Sequence, residues 1–130
     1  MYKIEKKEYG YKITFGDFIN EVEMKKWVEE SKAALQTAPN SFGIFVDMRT
    51  LKPLPPEAQK FMQEGQKLYK AKGMSKSVVI LANTVTKMQF KRIGQETGIY
   101  QWERYIDEAS NPNWEKAGVD WIQNGIDPDK

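Results

Sequence analysis

Apolar and polar residues follow two different periods along this chain, and the period changes about every fifteen residues. Strict alternation near the N-terminus, over 2–6 and 11–15, predicts two strands joined by a tight turn at 8–10. The nearly continuous apolar stretches 42–48 and 77–83 are typical of strands that are covered on both faces. A further, less regular strand is predicted before the last helix.

Four stretches repeat apolar residues with the period of an α-helix, and most of them carry start or stop signals. Asn20 followed by Glu23 has the spacing of a capping box, in which each side chain bonds to a backbone N–H group at the helix start. Thr86 followed by Gln89 repeats this spacing and predicts the start of the third helix. Gly73 is predicted to end the second helix, because glycine readily adopts the left-handed cap conformation.

The apolar stripes of these helices are predicted to face the sheet. Gly65 lies in the middle of the second stripe, and since glycine costs about 1 kcal/mol relative to alanine inside a helix, we expect it to allow a close approach to the sheet. Val85 and Phe90 are expected to pack together as a hydrophobic staple. The inward positions predicted for the large residues and one glycine are Trp27, Phe61, Phe90, Ile93, Gly94, Trp114 and Trp121.

The predicted order is strand, strand, helix, strand, helix, strand, helix, strand, helix, with the last strand within 102–109 and the last helix starting at 111–113. Because connections between parallel strands are right-handed in nearly all folds, the middle strands should be parallel, with the N-terminal hairpin as an antiparallel addition. The chain is therefore predicted to be α/β, with a mixed sheet of about five strands and four helices. Its 130 residues predict a single domain over 1–130.

Composition narrows the chemistry that this domain can perform. The chain has no cysteine and no histidine, which excludes disulfides, thiolate or imidazole metal sites, and catalysis by either residue. It also lacks the motifs of a phosphate-binding loop and of a nucleophile elbow. The sequence therefore predicts no cofactor, no metal site and no catalytic residue.

The net charge of +2 conceals an uneven distribution. Between 52 and 92 there are nine basic residues and two acids, whereas between 103 and 130 there are seven acids and three basic residues. A basic middle and an acidic tail favour self-association, and a homodimer is predicted. Arg92 is the only arginine in the basic stretch, so we favour a solvated lysine face over nucleic-acid binding.

The N-terminal residues and the length of the apolar stretches predict where the protein is located. Residues 1–10 lack the apolar run of a signal peptide, and no stretch approaches the length of a membrane span. We therefore expect a cytoplasmic protein without a membrane span. Its expected partners are another protein, a second copy of itself, or a small apolar or anionic ligand.

The element order and one strand end resemble the SpoIIAA-like or STAS-type fold. In STAS domains a buried strand ends in an aspartate, and a loop with a phosphorylatable serine leads into the next helix. Here Asp47 stands at the end of the apolar stretch 42–48, and Leu54 matches a second apolar anchor in the loop. Pro55 and Pro56 replace the expected aspartate and serine.

The resemblance implies a regulatory or binding domain. A phosphorylation switch adds a charge of about −1.5 to −2 at a helix start, and the two prolines offer no hydroxyl for it. The nearest hydroxyl is that of Thr50. The chain is more similar to the broader group of uncharacterised bacterial SpoIIAA-like proteins, whose fold also resembles the lipid-binding SEC14 domain. The resemblance therefore implies a non-enzymatic domain that acts through protein contact or a small apolar or anionic ligand.

Candidate binding residues follow two of the predicted strands, because open α/β sheets bind ligands at the carboxyl ends of parallel strands. Helix N-termini and basic side chains at such ends favour an anionic group. The same residue types also cap helices and pair with one another in loops, and we favour this structural interpretation. The candidate ligand-binding residues are Asp47, Arg49, Thr50, Lys52, Asn83, Thr84 and Thr86.

Two further interpretations stay open. A small hydrolase or isomerase would use Asp47 together with Arg49 and Lys52 at the strand ends. Tyr100 and Trp102 lie outside any helix stripe, and they are predicted to line an apolar pocket or a dimer interface, where tyrosine and tryptophan are enriched.

Overall fold

The computed structural model describes residues 1–130, and its elements follow the predicted order. Short 3₁₀ turns at Leu35–Thr37 and Ile99–Gln101 join this framework. None of the helices combines the length and the apolar character needed to cross a bilayer. The strands are β1 (Tyr2–Lys7), β2 (Gly10–Asp17), β3 (Phe42–Leu51), β4 (Met74–Leu81) and β5 (Glu103–Asp107). The helices are α1 (Glu21–Ala34), α2 (Pro56–Lys72), α3 (Thr84–Thr97) and α4 (Trp114–Asn124).

The strands form one mixed sheet in the order β1-β2-β3-β4-β5. The hairpin of β1 and β2 is antiparallel, and each of the following pairs is parallel. This arrangement confirms the predicted α/β class, the hairpin at one side of the sheet and the edge position of the last strand. Because β3 is central, the apolar residues on both of its sides are covered, as the continuous apolar stretch predicted.

Alternation along the strands divides the core between the two faces of the sheet. Val46, Val79 and Tyr105 belong to the larger cluster, which also contains the buried residues of α1 and α2. Phe45 and Val78 belong to the smaller cluster beneath α4. The third helix, α3, packs against β5 on the same side as Tyr105. Three helices therefore cover one face and a single helix covers the other.

The predicted core positions on the helices are partly confirmed. Trp27 and Trp121 are 2% and 5% exposed, whereas Phe61 and Trp114 are only half-buried. The prediction for α3 was wrong for its large residues, because Phe90 is 38% and Ile93 53% exposed. Phe90 lies beside Tyr105 of the edge strand, with ring centroids 6.1 Å apart, and Ile93 faces an open space between α2 and α3, so both side chains stay in contact with solvent.

The start of α3 also differs from the prediction. The helix begins at Thr84, because the side chain of Asn83 accepts a hydrogen bond of 2.8 Å from the backbone N–H of Thr86. Thr86 is therefore the donor to the cap rather than the cap itself. Val85 is 69% exposed, which rules out a buried hydrophobic staple with Phe90. By contrast, Asn20 caps α1 as predicted.

Gly65 makes its close approach to a helix rather than to the sheet. A Cβ atom at this position would lie 2.1 Å from Cζ3 of Trp27, which belongs to α1. The Trp27 ring is in edge-on contact with Phe15 of β2 and stacks against Tyr69 of α2, with ring centroids 5.0 and 5.8 Å apart. The absence of a side chain at Gly65 thus allows α2 to lie directly on the central tryptophan of the core.

We expect Gly65→Ala to lower the free energy of unfolding by about 1–3 kcal/mol, because the overpacking against Trp27 outweighs the gain of ~1 kcal/mol in helix propensity. Urea unfolding monitored by tryptophan fluorescence measures the change. Glu64→Ala, at the exposed neighbouring position, is the control and should not destabilise the protein. A Gly65→Ala protein as stable as the wild type would contradict the packing described here.

Candidate functional site

A cavity of about 540 Å³ opens between α2 and α3 on the face of the sheet that carries three helices. It exists because α2 packs against α1 while α3 packs against β5, so that the two helices leave a gap between them. Val46 and Val79 contribute to its sheet side, Met62 to the α2 side and Ile93 to the α3 side. Hydrophobic residues make up 13 of the 20 that line it. The cavity is therefore mainly apolar.

Glu103 is the most unusual group in this cavity. Its side chain lines the cavity from the start of β5, on the side of the sheet that Tyr105 also faces. One carboxyl oxygen accepts a hydrogen bond of 2.7 Å from the hydroxyl of Ser77, and the other accepts one of 2.7 Å from the hydroxyl of Tyr105. Burial raises the pKa of Glu103 above its ordinary value, and the two hydroxyl donors oppose this effect only in part.

The hydroxyl donors are fixed by packing from both neighbouring layers. A Cβ atom on Gly94 of α3 would lie 2.5 Å from the Tyr105 hydroxyl, so the glycine gives this group its space. Burial, and next the Glu103 carboxylate, raise the pKa of Tyr105, which keeps the phenol protonated and able to donate. Ser77 is 1% exposed and is held in β4. Both donors are therefore in place whether or not a ligand is present.

Two lysines of α2 line the exposed side of the cavity without neutralising Glu103. The ammonium group of Lys70 lies 4.2 Å from the centre of the Trp102 ring and donates a hydrogen bond of 3.3 Å to the carbonyl of Met74. Lys67 is exposed. No ion pair links either lysine to Glu103, whose hydrogen-bond partners are the two neutral hydroxyls. The buried carboxyl group thus lacks a counter-charge.

The raised pKa of Glu103 predicts a specific pH dependence of stability. The folded protein holds this proton more tightly than the unfolded chain, where the pKa is near 4.5, so the stabilisation is complete in acid and is lost as the pH rises through the folded pKa. Glu103→Gln removes the charge, and we expect its melting temperature to rise relative to that of the wild type as the pH increases above the ordinary pKa of a glutamate.

Thermal unfolding followed by circular dichroism at several pH values provides this measurement. Glu64→Gln, an exposed glutamate of α2 outside the cavity, should follow the wild type at every pH. If the wild type and Glu103→Gln have parallel pH profiles, Glu103 is not the group that loses stability on ionisation.

On the other face of β5, the C-terminal segment holds Arg104. The Arg104 guanidinium donates to both carboxylate oxygens of Asp127, at 2.9 and 3.1 Å. It also lies between two aromatic rings, 3.8 Å from the centre of Tyr100 and 4.3 Å from the centre of Trp121. Hydrogen bonds from Arg104 hold the pKa of Asp127 below its usual value. This pair ties the end of the chain to the edge strand.

A second acid of the tail reaches α3. Asp129 lies 3.8 Å from the ammonium group of Lys87 and 3.3 Å from that of Lys91, and it accepts a hydrogen bond from the Tyr100 hydroxyl. We call Asp127 and Asp129, with these contacts, the C-terminal clasp. Part of the acidic tail therefore neutralises basic residues of its own chain. The same contacts restrain α3, one of the two helices beside the cavity.

We expect Asp127→Asn to lower the free energy of unfolding by about 2 kcal/mol, because it leaves a largely buried arginine without its bidentate partner. Chemical denaturation at neutral pH measures the loss. Asp120→Asn removes a carboxylate from an exposed pair with Lys116 and is the control, for which no measurable change is expected. Equal stability of the two variants would show that the clasp does not hold the edge strand.

The residues predicted after β3 form an ion-pair cluster. Asp47 is 5% exposed and accepts hydrogen bonds from the backbone N–H, Nε and Nη2 of Arg49, at 3.0 to 3.1 Å. Arg49 also pairs with Glu108 at 2.9 Å and lies 4.1 Å from the centre of the Trp114 ring. The hydrogen bonds that Arg49 donates to Asp47, and next the one that it donates to Glu108, raise the pKa of Arg49. The charges of Asp47, Arg49 and Glu108 are thus already paired with one another within the chain.

The other predicted ligand residues have different roles. Asn83 caps α3, and Thr84 and Thr86 belong to its first turn. Thr50 is exposed at the end of β3, and Lys52, also exposed, uses its backbone N–H to bond to the carbonyl of Asp17. No hydrogen bond joins the Asp47–Arg49 pair to the cap of α3. A ligand site at these strand ends therefore stays a prediction.

The cavity contains residues that were not predicted from the sequence. Tyr100 and Trp102 were predicted to line an apolar pocket or a dimer interface. Trp102 lines the cavity, whereas Tyr100 belongs to the C-terminal clasp. Glu103 and Ser77 were not among the predicted site residues. The sequence does indicate on which side Glu103 lies. It is two residues from Tyr105 in the last strand, so the two side chains face the same side of the sheet.

Comparison with solved structures identifies the fold. The chain is similar to the crystal structure of an uncharacterised protein of the DUF3478 family with a SpoIIAA-like fold from Shewanella loihica, with a TM-score of 0.63 and 12% sequence identity. The match covers 94% of this chain and 92% of that one. No family model and no curated protein matches the sequence. The chain thus has the SpoIIAA-like fold, as the resemblance implied, and at this identity the likeness concerns the fold alone.

Proposed function

We propose that this protein is a non-enzymatic binding domain that holds a small apolar ligand in the cavity between α2 and α3. The observation that carries the proposal is the cavity itself. Its volume of about 540 Å³ lies within the range of about 300–1,000 Å³ that is typical of small-molecule sites. Its lining, mostly apolar with a few polar groups, also has the composition of such sites.

The cost of leaving such a space empty supports the same conclusion. Protein interiors are close-packed, and voids larger than a water molecule are few, because each forfeits contacts between the side chains around it. Here the sheet side of the cavity is bordered by two valines, Val46 and Val79. Larger residues at these two positions would fill part of the gap, so the valines favour a space kept for a ligand.

A cavity-filling variant tests this function. We expect Val79→Phe to weaken the binding of an apolar fluorescent probe, N-phenyl-1-naphthylamine, about tenfold or more, because the added ring occupies the space beside the sheet. Titration of the probe into the protein measures its affinity. Val85→Phe makes the same change on the exposed surface of α3 and should bind the probe like the wild type.

Native mass spectrometry of the protein taken directly from the producing cell complements the titration. Retained small molecules that are absent from Val79→Phe would identify the natural ligand. If the wild type binds neither the probe nor a cellular molecule, or if both phenylalanine variants bind as the wild type does, the proposed function is wrong. Light scattering on the same samples measures the self-association that the uneven charge predicts.

A further inference from the structure

We propose that the natural ligand carries a cationic hydrogen-bond donor, such as a primary ammonium group, which pairs with Glu103 while an apolar body fills the rest of the cavity. This inference rests on the proposed function. It concerns which chemical class of ligand the cavity selects. Two features of the cavity point to a cation rather than to an anion or a neutral group, and the two lysines beside it are weighed against them.

The first feature is the unused acceptor capacity of Glu103. A carboxylate offers about four lone-pair sites, and the protein fills one on each oxygen, through the hydroxyls of Ser77 and Tyr105. The remaining sites belong to a side chain that lines the cavity. A group that completes this arrangement must donate hydrogen bonds. A ligand end that can only accept them, such as a carboxylate or a phosphate, finds no free donor on Glu103 when it is ionised.

The second feature is the missing counter-charge. A buried carboxylate is strongly disfavoured unless an opposite charge accompanies it, and Glu103 has only neutral partners. Arg104, its neighbour in β5, points to the other face and pairs with Asp127. A ligand that brings its own positive charge supplies what the chain leaves out. A ligand with a negative charge would place two like charges together in an apolar space.

The position of the two lysines is the strongest argument for the opposite conclusion, an anionic ligand. Lys67 and Lys70 line the cavity and would attract an anion. Both residues are exposed, however, so water and salt screen their charge, and Lys70 is already engaged with Trp102 and the carbonyl of Met74. Glu103 is less exposed than these lysines, so its charge is screened less. We therefore expect the charge of Glu103, and not that of the lysines, to select the end of the ligand that is buried.

Three probes of equal chain length separate these possibilities: octylamine, octanol and octanoate, each below its micelle-forming concentration. Isothermal titration calorimetry at neutral pH should give the tightest binding for octylamine, by roughly tenfold over octanol, with octanoate weakest. In Glu103→Gln the difference between amine and alcohol should shrink to about twofold or less, because no carboxylate remains to pair. Glu64→Gln, outside the cavity, should keep the wild-type order.

Proton release gives an independent readout. Pairing with an ammonium group favours the ionised form of Glu103, so binding of octylamine should lower the pKa of this carboxyl group and release the share of its proton that is still bound at the pH of the experiment. Repeating the titration in buffers of different ionisation enthalpy measures this release. The other titratable groups that face the cavity are Tyr69, Tyr105, Lys67 and Lys70. All of them remain in Glu103→Gln, so a release that persists in this variant does not come from Glu103 and would overturn the assignment.

The outcomes distinguish this inference from the function on which it rests. If none of the three probes binds, the cavity is not a ligand site and both proposals fail. If octanol and octanoate bind as tightly as octylamine, or more tightly, the apolar cavity stands and the cationic end is wrong. Preference for the amine that survives in Glu103→Gln would place the cation elsewhere and would also overturn the assignment to Glu103.

Discussion

The contact between α2 and the Trp27 ring at Gly65 is the constraint on which the rest of the structure depends. It draws α2 toward α1, where the stacking of Tyr69 on Trp27 and the 2.8 Å hydrogen bond between the hydroxyls of Tyr69 and Ser31 hold it. The far end of the helical layer is anchored separately, since α3 is fixed to the edge strand at Gly94. The space between these two anchored helices is the cavity, which therefore follows from packing on either side of it.

Two acids on the sheet differ in how the chain satisfies their charge. Asp47 has an arginine two residues away that satisfies both of its oxygens, so its charge is neutralised within one strand end. Glu103 has two neutral donors and an accessible cavity in place of a cation. The first arrangement needs nothing from outside the chain. The arrangement of Glu103 keeps a carboxyl group where an apolar side chain would cost less free energy to bury. Polar groups buried at such a cost occur often in binding sites.

The periodicity of the sequence was sufficient for the fold but not for the site. Element order, the parallel middle of the sheet and the cap at Asn20 depend on local patterns, which the residues themselves display. The cavity depends on the distance between α2 and α3, which no local pattern records. The exposure of Phe90 and Ile93 could not be predicted for the same reason. A helical stripe predicts which side of a helix faces inward, but not how closely the neighbouring elements cover that side.

The two faces of the sheet have different roles because they are closed to different degrees. Beneath α4, Trp121 packs on the Arg104 guanidinium and its indole N–H donates to the carbonyl of Ser77, which leaves that side filled. On the other face, the gap between α2 and α3 reaches the surface beside the exposed Lys67. β4 therefore supports the site from both sides: the backbone of Ser77 is fixed by Trp121 below, while its hydroxyl holds the Glu103 carboxyl above. A ligand of the proposed kind would meet a polar group that the protein already holds in place, and this would lower the ordering cost of binding.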